Sequence, residues 1–382
     1  MRVVWLLLST VTLWCSAPHF QDPQPSRPPA PPAPREPLGP VEVPYVESVP
    51  RTDLPERFVR KGEQLGFVAP RDRRLVRVVV EQDDVDLVLV LTSMPAHGPI
   101  TRAALASGKH VLVEKPMAVT LEEAATIVEQ ARTSKGLLVP APHVVLSQTY
   151  QTMWKRLHKG DIGEVKLARA MYGWAGPWWG QWFYQPGGGA LFDLGVYNVT
   201  TLTGLLGPAK RVTAMAGTAI KERVVEDELM KVEAVDNAHV LIDFGNAVYA
   251  VVTTGFTIQQ YRCPAVEIYG TTGTIQMMGD DWDPNGYELW QNKVGAWQGF
   301  GETDPTWPWV DGLRHTVECI REGKRPIVTP EHSYHVLEIM IKAQEAGRDG
   351  QARDIVSTFT PPVFGDDGSA SVPAHLAHDR TD

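Results

Sequence analysis

From Asp86 onward the hydrophobic pattern alternates between two kinds of segment. DLVLVLT, Asp86 to Thr92, is a continuous apolar run, as expected of a strand covered on both faces. PITRAALASG follows, with Pro99 at a helix start and Gly108 at its end. HVLV, from His110, reads as a second short strand. In VTLEEAATIVEQARTSKG, Thr120 and Glu123 form a capping box and Gly136 closes the helix. Leu121, Ala124, Ala125, Val128 and Ala131 share one of its faces. Leu137 to Val139 reads as the next strand. Strand, helix and strand at this spacing predict right-handed parallel crossovers, and so part of a doubly wound α/β sheet.

Past residue 145 the pattern changes. TYQTMWKRLHKG predicts a connecting helix. IGEVKLARAMYGW, AKRVTAMAGTAI, VDNAHVLIDFG, NAVYAVVTTGFTI, AVEIYG and TIQMMG are strand-like runs separated by Gly and Asn. They predict a large, mostly antiparallel sheet. DGLRHTVECIREG and PEHSYHVLEIMIKAQEAG are later amphipathic helices. The division is an α/β domain over 51–145 and an α+β domain over 146–362. Flanking them are an atypical N-terminus, 1–50, and a disordered tail, 363–382.

The chain has 382 residues, enough for two sizeable cores. Its net charge of −9 argues against nucleic acid as a partner. Cys15, Cys263 and Cys319 match no metal spacing, and no metal site is expected. The N-terminus is unlike the rest. The apolar run from Val3 to Trp14 is shorter than the about 20 residues of a membrane span, so none is expected. It suits a signal-peptide core, with a tolerable cleavage site at Ala17. A proline-rich, unpackable stretch, PQPSRPPAPPAPREPLGP, comes next.

Three features carry candidate chemistry. Glu114, Lys115 and Pro116 end the HVLV strand, and ligands of parallel sheets bind at such carboxyl ends. A lysine there can enter the crevice, aimed by a turn that Pro116 fixes. The bland alternative is a solvated loop lysine. In GGGALFDLGVYNV, Asp193 and Tyr197 share a helical face. They suit polyol binding or proton transfer, although spacing alone points first to a surface acid and a packed phenol. Four of the twelve tryptophans, among them Trp174, Trp178 and Trp179, lie between Trp174 and Trp182. Such rings stack on sugars or fill a core.

Together these motifs resemble the glucose–fructose oxidoreductase, inositol dehydrogenase and MocA-like family of nicotinamide-dependent oxidoreductases. GKHVLVEKP is the most specific of them, and DVDLVLVLTSMPAH, GDIGEV, GGGALFDLGVYNV, VEIYGTTGTIQM and PEHSYHVLEIM follow in family order. The resemblance implies a Rossmann-type sheet and hydride transfer between NAD or NADP and a secondary alcohol of a sugar, cyclic polyol or derivative. It makes Lys115 the catalytic lysine, Asp193 the substrate holder and Tyr197 the proton acceptor, where many members have His. Thr92, His97, Glu114, Lys115 and Pro116 are then cofactor-side residues. Trp174, Trp178, Trp179 and Asp193 are on the substrate side. A homo-dimer or homo-tetramer is also implied.

One family element is missing. No G-x-G-x-x-G precedes Lys115, so the Rossmann-type sheet is expected to be incomplete and dinucleotide binding impaired. Asp53, in TDLPERFVRKGEQLG, is a candidate ribose-binding acid by the same resemblance. Family-like sequence resumes near residue 50, which favours a replaced start ahead of a cytoplasmic enzyme over an exported one carrying a signal at 1–17. Two other functions stay open: a cofactor-deficient sugar-binding or scaffold protein, and an NAD-assisted glycosidase.

Overall fold

The computed structural model describes residues 3–7, 83–302 and 308–373, for 3–7 as backbone only. The proline-rich stretch, Cys15 and Asp53 lie outside the described residues. A four-stranded sheet comes first, built from β1 (Val3–Leu7), β2 (Leu87–Leu91), β3 (His110–Val113) and β4 (Leu138–Pro140). All its pairings are parallel, in the order β1-β2-β3-β4. The crossovers are α1 (Met94–Ala106) and α2 (Leu121–Thr133). The central runs are apolar throughout because both faces are covered. Val88, Val90, Val111 and Val113 join the main core, whereas Leu87, Leu89 and Leu112 form a second cluster. Leu313 and Ile320 of α5 (Pro308–Glu322) pack on that second cluster.

The two predicted crossover helices form, with one correction. α1 starts at Met94 and Pro99 lies inside it, because Pro95 already occupies the first turn. The Thr120 side chain caps α2 by accepting from the Glu123 N–H. The N-terminal run also departs from expectation. Val3–Leu7, read as part of a signal-like core outside the α/β domain, pairs along its whole length with Leu87–Leu91.

A connecting helix, α3 (Gln148–His158), leads to the second sheet. Its strands are β5 (Val165–Gly173), β6 (Arg211–Gly217), β9 (Asn237–Gly245), β10 (Val248–Gly255), β11 (Val266–Gly270), β12 (Gly273–Asp280), β13 (Asp283–Gln291), β14 (Trp297–Gly301) and β15 (Arg353–Asp354). The order is β14-β13-β12-β11-β5-β10-β9-β6-β15, antiparallel except between β10 and β5. A separate hairpin joins β7 (Glu222–Val225) and β8 (Glu228–Lys231).

Strand alternation sorts this sheet into two faces. Ala168, Ala170, Val212, Ala214, Val240, Ile242, Ala250 and Val252 point into the core. Leu167, Met215, Leu241 and Tyr249 point outward and are about half exposed or more. The inner face is covered by α4 (Val196–Leu206) and α6 (Pro330–Asp349), and α6 also packs on α2. The tail is ordered further than expected. Val363–Phe364 pairs with Ala370–Ser371, anchored by buried Phe364 against Tyr150 and Trp154. Among the described residues no helix is long and apolar enough to cross a membrane.

Candidate functional site

The carboxyl ends of β2 and β3 lie side by side, and the residues that follow them build one wall of the site. Thr92 follows β2, and its buried hydroxyl has no partner among the described residues. His97, on the first turn of α1, is buried. Its Nδ1 is 2.8 Å from the Pro116 carbonyl and its Nε2 2.9 Å from the Thr92 carbonyl. Burial holds the ring below the ordinary histidine pKa, against the pull of both carbonyls. A neutral ring donates to one of them only. His97 therefore braces the two strand-end turns against each other. Glu114 Oε2 accepts from the Lys115 N–H at 3.1 Å, and the Lys115–Pro116 peptide is cis.

The opposite wall comes from GGGALFDLGVYNV. Leu191–Gly195 is a π-helical turn that runs directly into α4. The glycines before it let the chain pass close to its neighbours. Gly189 has φ +106°, and a Cβ there would lie 2.6 Å from the Val235 carbonyl. The turn brings Asp193 over the end of β3. Lys115 Nζ donates to Asp193 Oδ1 and to its backbone carbonyl, both at 2.6 Å. Both side chains are 12% exposed, so the pair is largely shielded from water. The Tyr197 ring centroid lies 5.0 Å from the same ammonium. Lysine, carboxylate and phenol thus converge from elements 78 residues apart.

Tyr197 is partly buried, and the loss of water around its hydroxyl raises its pKa well above the ordinary phenol value. The charges of Glu114 and Asp193 push the same way, and an ionised Asp281 would add to them. The phenol is therefore held protonated at neutral pH. Tyr172, at the end of β5, packs edge-on against it with centroids 5.9 Å apart. Sequence reasoning missed Tyr172. The available signal was its place two residues before Trp174 at a strand end, on the same face.

The tryptophans form a chain of their own. Trp174 and Trp179 are 5.6 Å apart, and Trp179 and Trp178 are 5.4 Å apart. Trp178 ends the chain at 71% exposure. The β7–β8 hairpin supports this loop: Glu226 N–H donates to the Trp178 carbonyl, and Arg223 donates to the Ala175 carbonyl. Of the aromatic residues in this stretch, it is Tyr172 that packs on Tyr197.

Residues 59–141 match the Gfo/Idh/MocA oxidoreductase family with its NAD-binding Rossmann fold, and residues 150–276 match that family's C-terminal domain. The chain is 30% identical over 289 residues to 1,5-anhydro-D-fructose reductase of Ensifer adhaerens, covering 73% of this chain and 83% of the relative. The chain belongs to the Gfo/Idh/MocA family. It is also 27% identical over 290 residues to the NADP-dependent scyllo-inositol 2-dehydrogenase of Bacillus subtilis, covering 69% of this chain and 77% of that one. Among solved structures, aldose–aldose oxidoreductase from Caulobacter crescentus shares the fold with a TM-score of 0.66 at 22% identity, over 79% of this chain and 89% of that one. Levoglucosan dehydrogenase in complex with NADH gives 0.65 at 19% identity, over 74% and 82%.

As a Gfo/Idh/MocA protein the chain is a nicotinamide-dependent oxidoreductase, with NAD or NADP as its cofactor. The residues at the strand ends fit the nicotinamide end of that cofactor. The Thr92 hydroxyl, buried and without a partner among the described residues, would offer a polar contact there, and the Lys115 ammonium would offer a cation. The phosphate end is different, since the sequence has no G-x-G-x-x-G to hold it.

Proposed function

We propose that the chain transfers hydride between NAD(P) and a secondary alcohol or ketone carbon of a sugar, cyclic polyol or derivative. The observation that carries this reading is the convergence of Lys115, Asp193 and Tyr197 at the end of β3, with Lys115 Nζ 2.6 Å from Asp193 Oδ1. The bound nicotinamide supplies hydride exchange at its ring C4. Asp193 accepts a hydrogen bond from a substrate hydroxyl and fixes the reacting carbon. Lys115 places a positive charge where negative charge develops on the substrate oxygen. Tyr197 exchanges the proton with that oxygen. In carbonyl reduction the phenol gives its proton to the oxygen as the carbon receives hydride, and in alcohol oxidation it takes that proton back.

The reductase and the inositol dehydrogenase among the relatives support a sugar or polyol substrate. Trp174 and Trp179 are suited to stack on the apolar face of a sugar ring. We further propose that copies of the chain pair through the outer face of the large sheet, where Leu167, Met215, Leu241 and Tyr249 are exposed. No observation favours the non-catalytic or glycosidase alternatives.

The test is a spectrophotometric assay at millimolar NADH and NADPH against ketoses, inososes and anhydro-sugars. Oxidation of either cofactor that depends on substrate and is lost in K115A supports the reading. Absence of turnover across the panel in both directions refutes it. Equilibrium titration with the same cofactors should give dissociation constants weaker than micromolar, because the phosphate turn is missing from the sequence.

A further inference from the structure

The hairpin between β12 and β13 turns on Asp281 and Trp282. Polar residues at such tips ordinarily face water. Asp281 is instead completely buried. Its Oδ2 accepts a hydrogen bond of 2.6 Å from Asn198 Nδ2. Asn198 follows Tyr197 on α4 and is also fully buried. The remaining oxygens of the two groups, Asp281 Oδ1 and Asn198 Oδ1, are both buried with no partner. With the carboxyl ionised, the Asn198 oxygen is an acceptor lacking a donor, the Asp281 oxygen has only the nearby Asp281 and Trp282 backbone, and the charge has no salt-bridge partner among the described residues. Each of these conditions is costly inside a protein. One proton on the carboxyl relieves all of them: the acid then donates to the amide oxygen while accepting from the amide nitrogen.

We propose that Asp281 is a positioning residue held as the neutral acid, sharing its proton with the Asn198 amide, tying the hairpin tip to the helix that carries Tyr197, and keeping a negative charge away from that phenol. This rests on Tyr197 being the proton donor of the proposed reaction. The surroundings agree with it. Burial is the largest influence on Asp281 and raises its pKa well above the ordinary carboxyl value; Asp280 pushes the same way, while hydrogen bonds from Asn198 and from the Asp281 and Trp282 backbone pull it back in part. The other groups facing the cluster are Tyr172 from β5, Tyr197 from α4, Tyr261 from the segment before β11, and Asp280 with Asp283 from the hairpin. None of them supplies a positive charge. Once ionised, Asp281 raises the pKa of Tyr197 further. It then opposes the phenolate that Tyr197 becomes on giving up its proton.

Infrared difference spectroscopy of the unliganded protein, wild type against D281N at neutral pH, reads the acid directly. A protonated-carboxyl carbonyl band that disappears in D281N is the expected result, and carboxylate bands alone overturn the proposal. In turnover, D281A should lose about tenfold or more in kcat with little change in KM, and D281N, an amide of the same shape, should recover kcat to within about threefold of wild type. D281N should also lack the alkaline fall in kcat that ionisation of Asp281 produces. A D281N as impaired as D281A overturns the proposal. If wild type turns over no sugar or polyol, the proposed function fails, while the infrared band still decides the state of Asp281.

Discussion

Replacing Lys115 by Met tests the site most directly, because stability and activity should respond in different ways. At the observed 2.6 Å separation from Asp193 Oδ1 and an effective dielectric of about 20, the gross attraction is about 6 kcal/mol. Most of it offsets the cost of taking both groups out of water. Removing the lysine alone leaves a buried carboxylate without its cation. Both side chains are 12% exposed rather than sealed, so the cost falls at the lower end of the range for broken buried pairs, about 3 kcal/mol. In a D193N background that charge is already gone, and K115M should cost about 2 kcal/mol less. Activity should not follow this recovery. K115M removes the cation beside the substrate oxygen and should lower kcat/KM by about 10² or more in either background. The assay is urea unfolding of wild type, both single variants and the double variant, with initial rates at saturating cofactor. Two results refute the reasoning: an equal K115M stability cost in both backgrounds, or a K115M that keeps kcat/KM within threefold.

Removing the Trp174 ring by W174A should raise KM about tenfold, the equivalent of about 1.4 kcal/mol of lost stacking, with kcat nearly unchanged. A fall in kcat without a change in KM argues against a sugar platform. W178A, at a ring already 71% exposed, should leave the urea midpoint where it is. His332 is buried against Phe359 and contacts the Thr203 hydroxyl, and burial pushes its pKa down to about 3. A depressed histidine contributes stability that is present above its ordinary value near 6.5 and is lost as pH falls toward the folded value. The stability advantage of wild type over H332Q should shrink by about 1.4 kcal/mol per pH unit below 6.5, and a constant gap between pH 7 and pH 5 contradicts the sign. Introducing charge on the outer sheet face, M215E with L241E, should dissociate the oligomer in light scattering. A monomeric wild type removes the premise.

The parallel sheet was legible where burial on both faces left the strands continuously apolar. Leu87–Leu91 and His110–Val113 form where the runs predicted them. The same rule hides β1. An apolar run at the start of a chain has one composition whether or not it forms a strand, and only the pairing of Val3–Leu7 with Leu87–Leu91 shows that this one does. Pro99 misled because a proline in an early turn of a helix resembles one at its start, and Pro95 had already taken that place. The second sheet was legible as strands but not in order. Its one parallel pairing, β10 on β5, joins segments about eighty residues apart, and no local periodicity encodes that.

The site divides along similar lines. Lys115 was visible from its place at a strand end, and Asp193 with Tyr197 from helical spacing. Their meeting depends on a π-helical turn that spacing does not announce. Asp281 was invisible, because a polar residue in a hairpin turn reads as solvated, and only the docking of that hairpin on α4 buries it. The cofactor grip is the remaining part. β1 stands beside β2, in the position from which a phosphate-binding turn would leave, yet the first glycine after Leu7 is Gly39. Backbone close to a pyrophosphate needs glycine, so the residues directly after β1 lack the chemistry for that contact. Positioning of the reacting groups and anchoring of the phosphates are therefore separable in this chain. The groups proposed for the first stand just after β3 and on the turn and helix that face it. Weak cofactor affinity with intact chemistry at high cofactor concentration is the combination these residues predict.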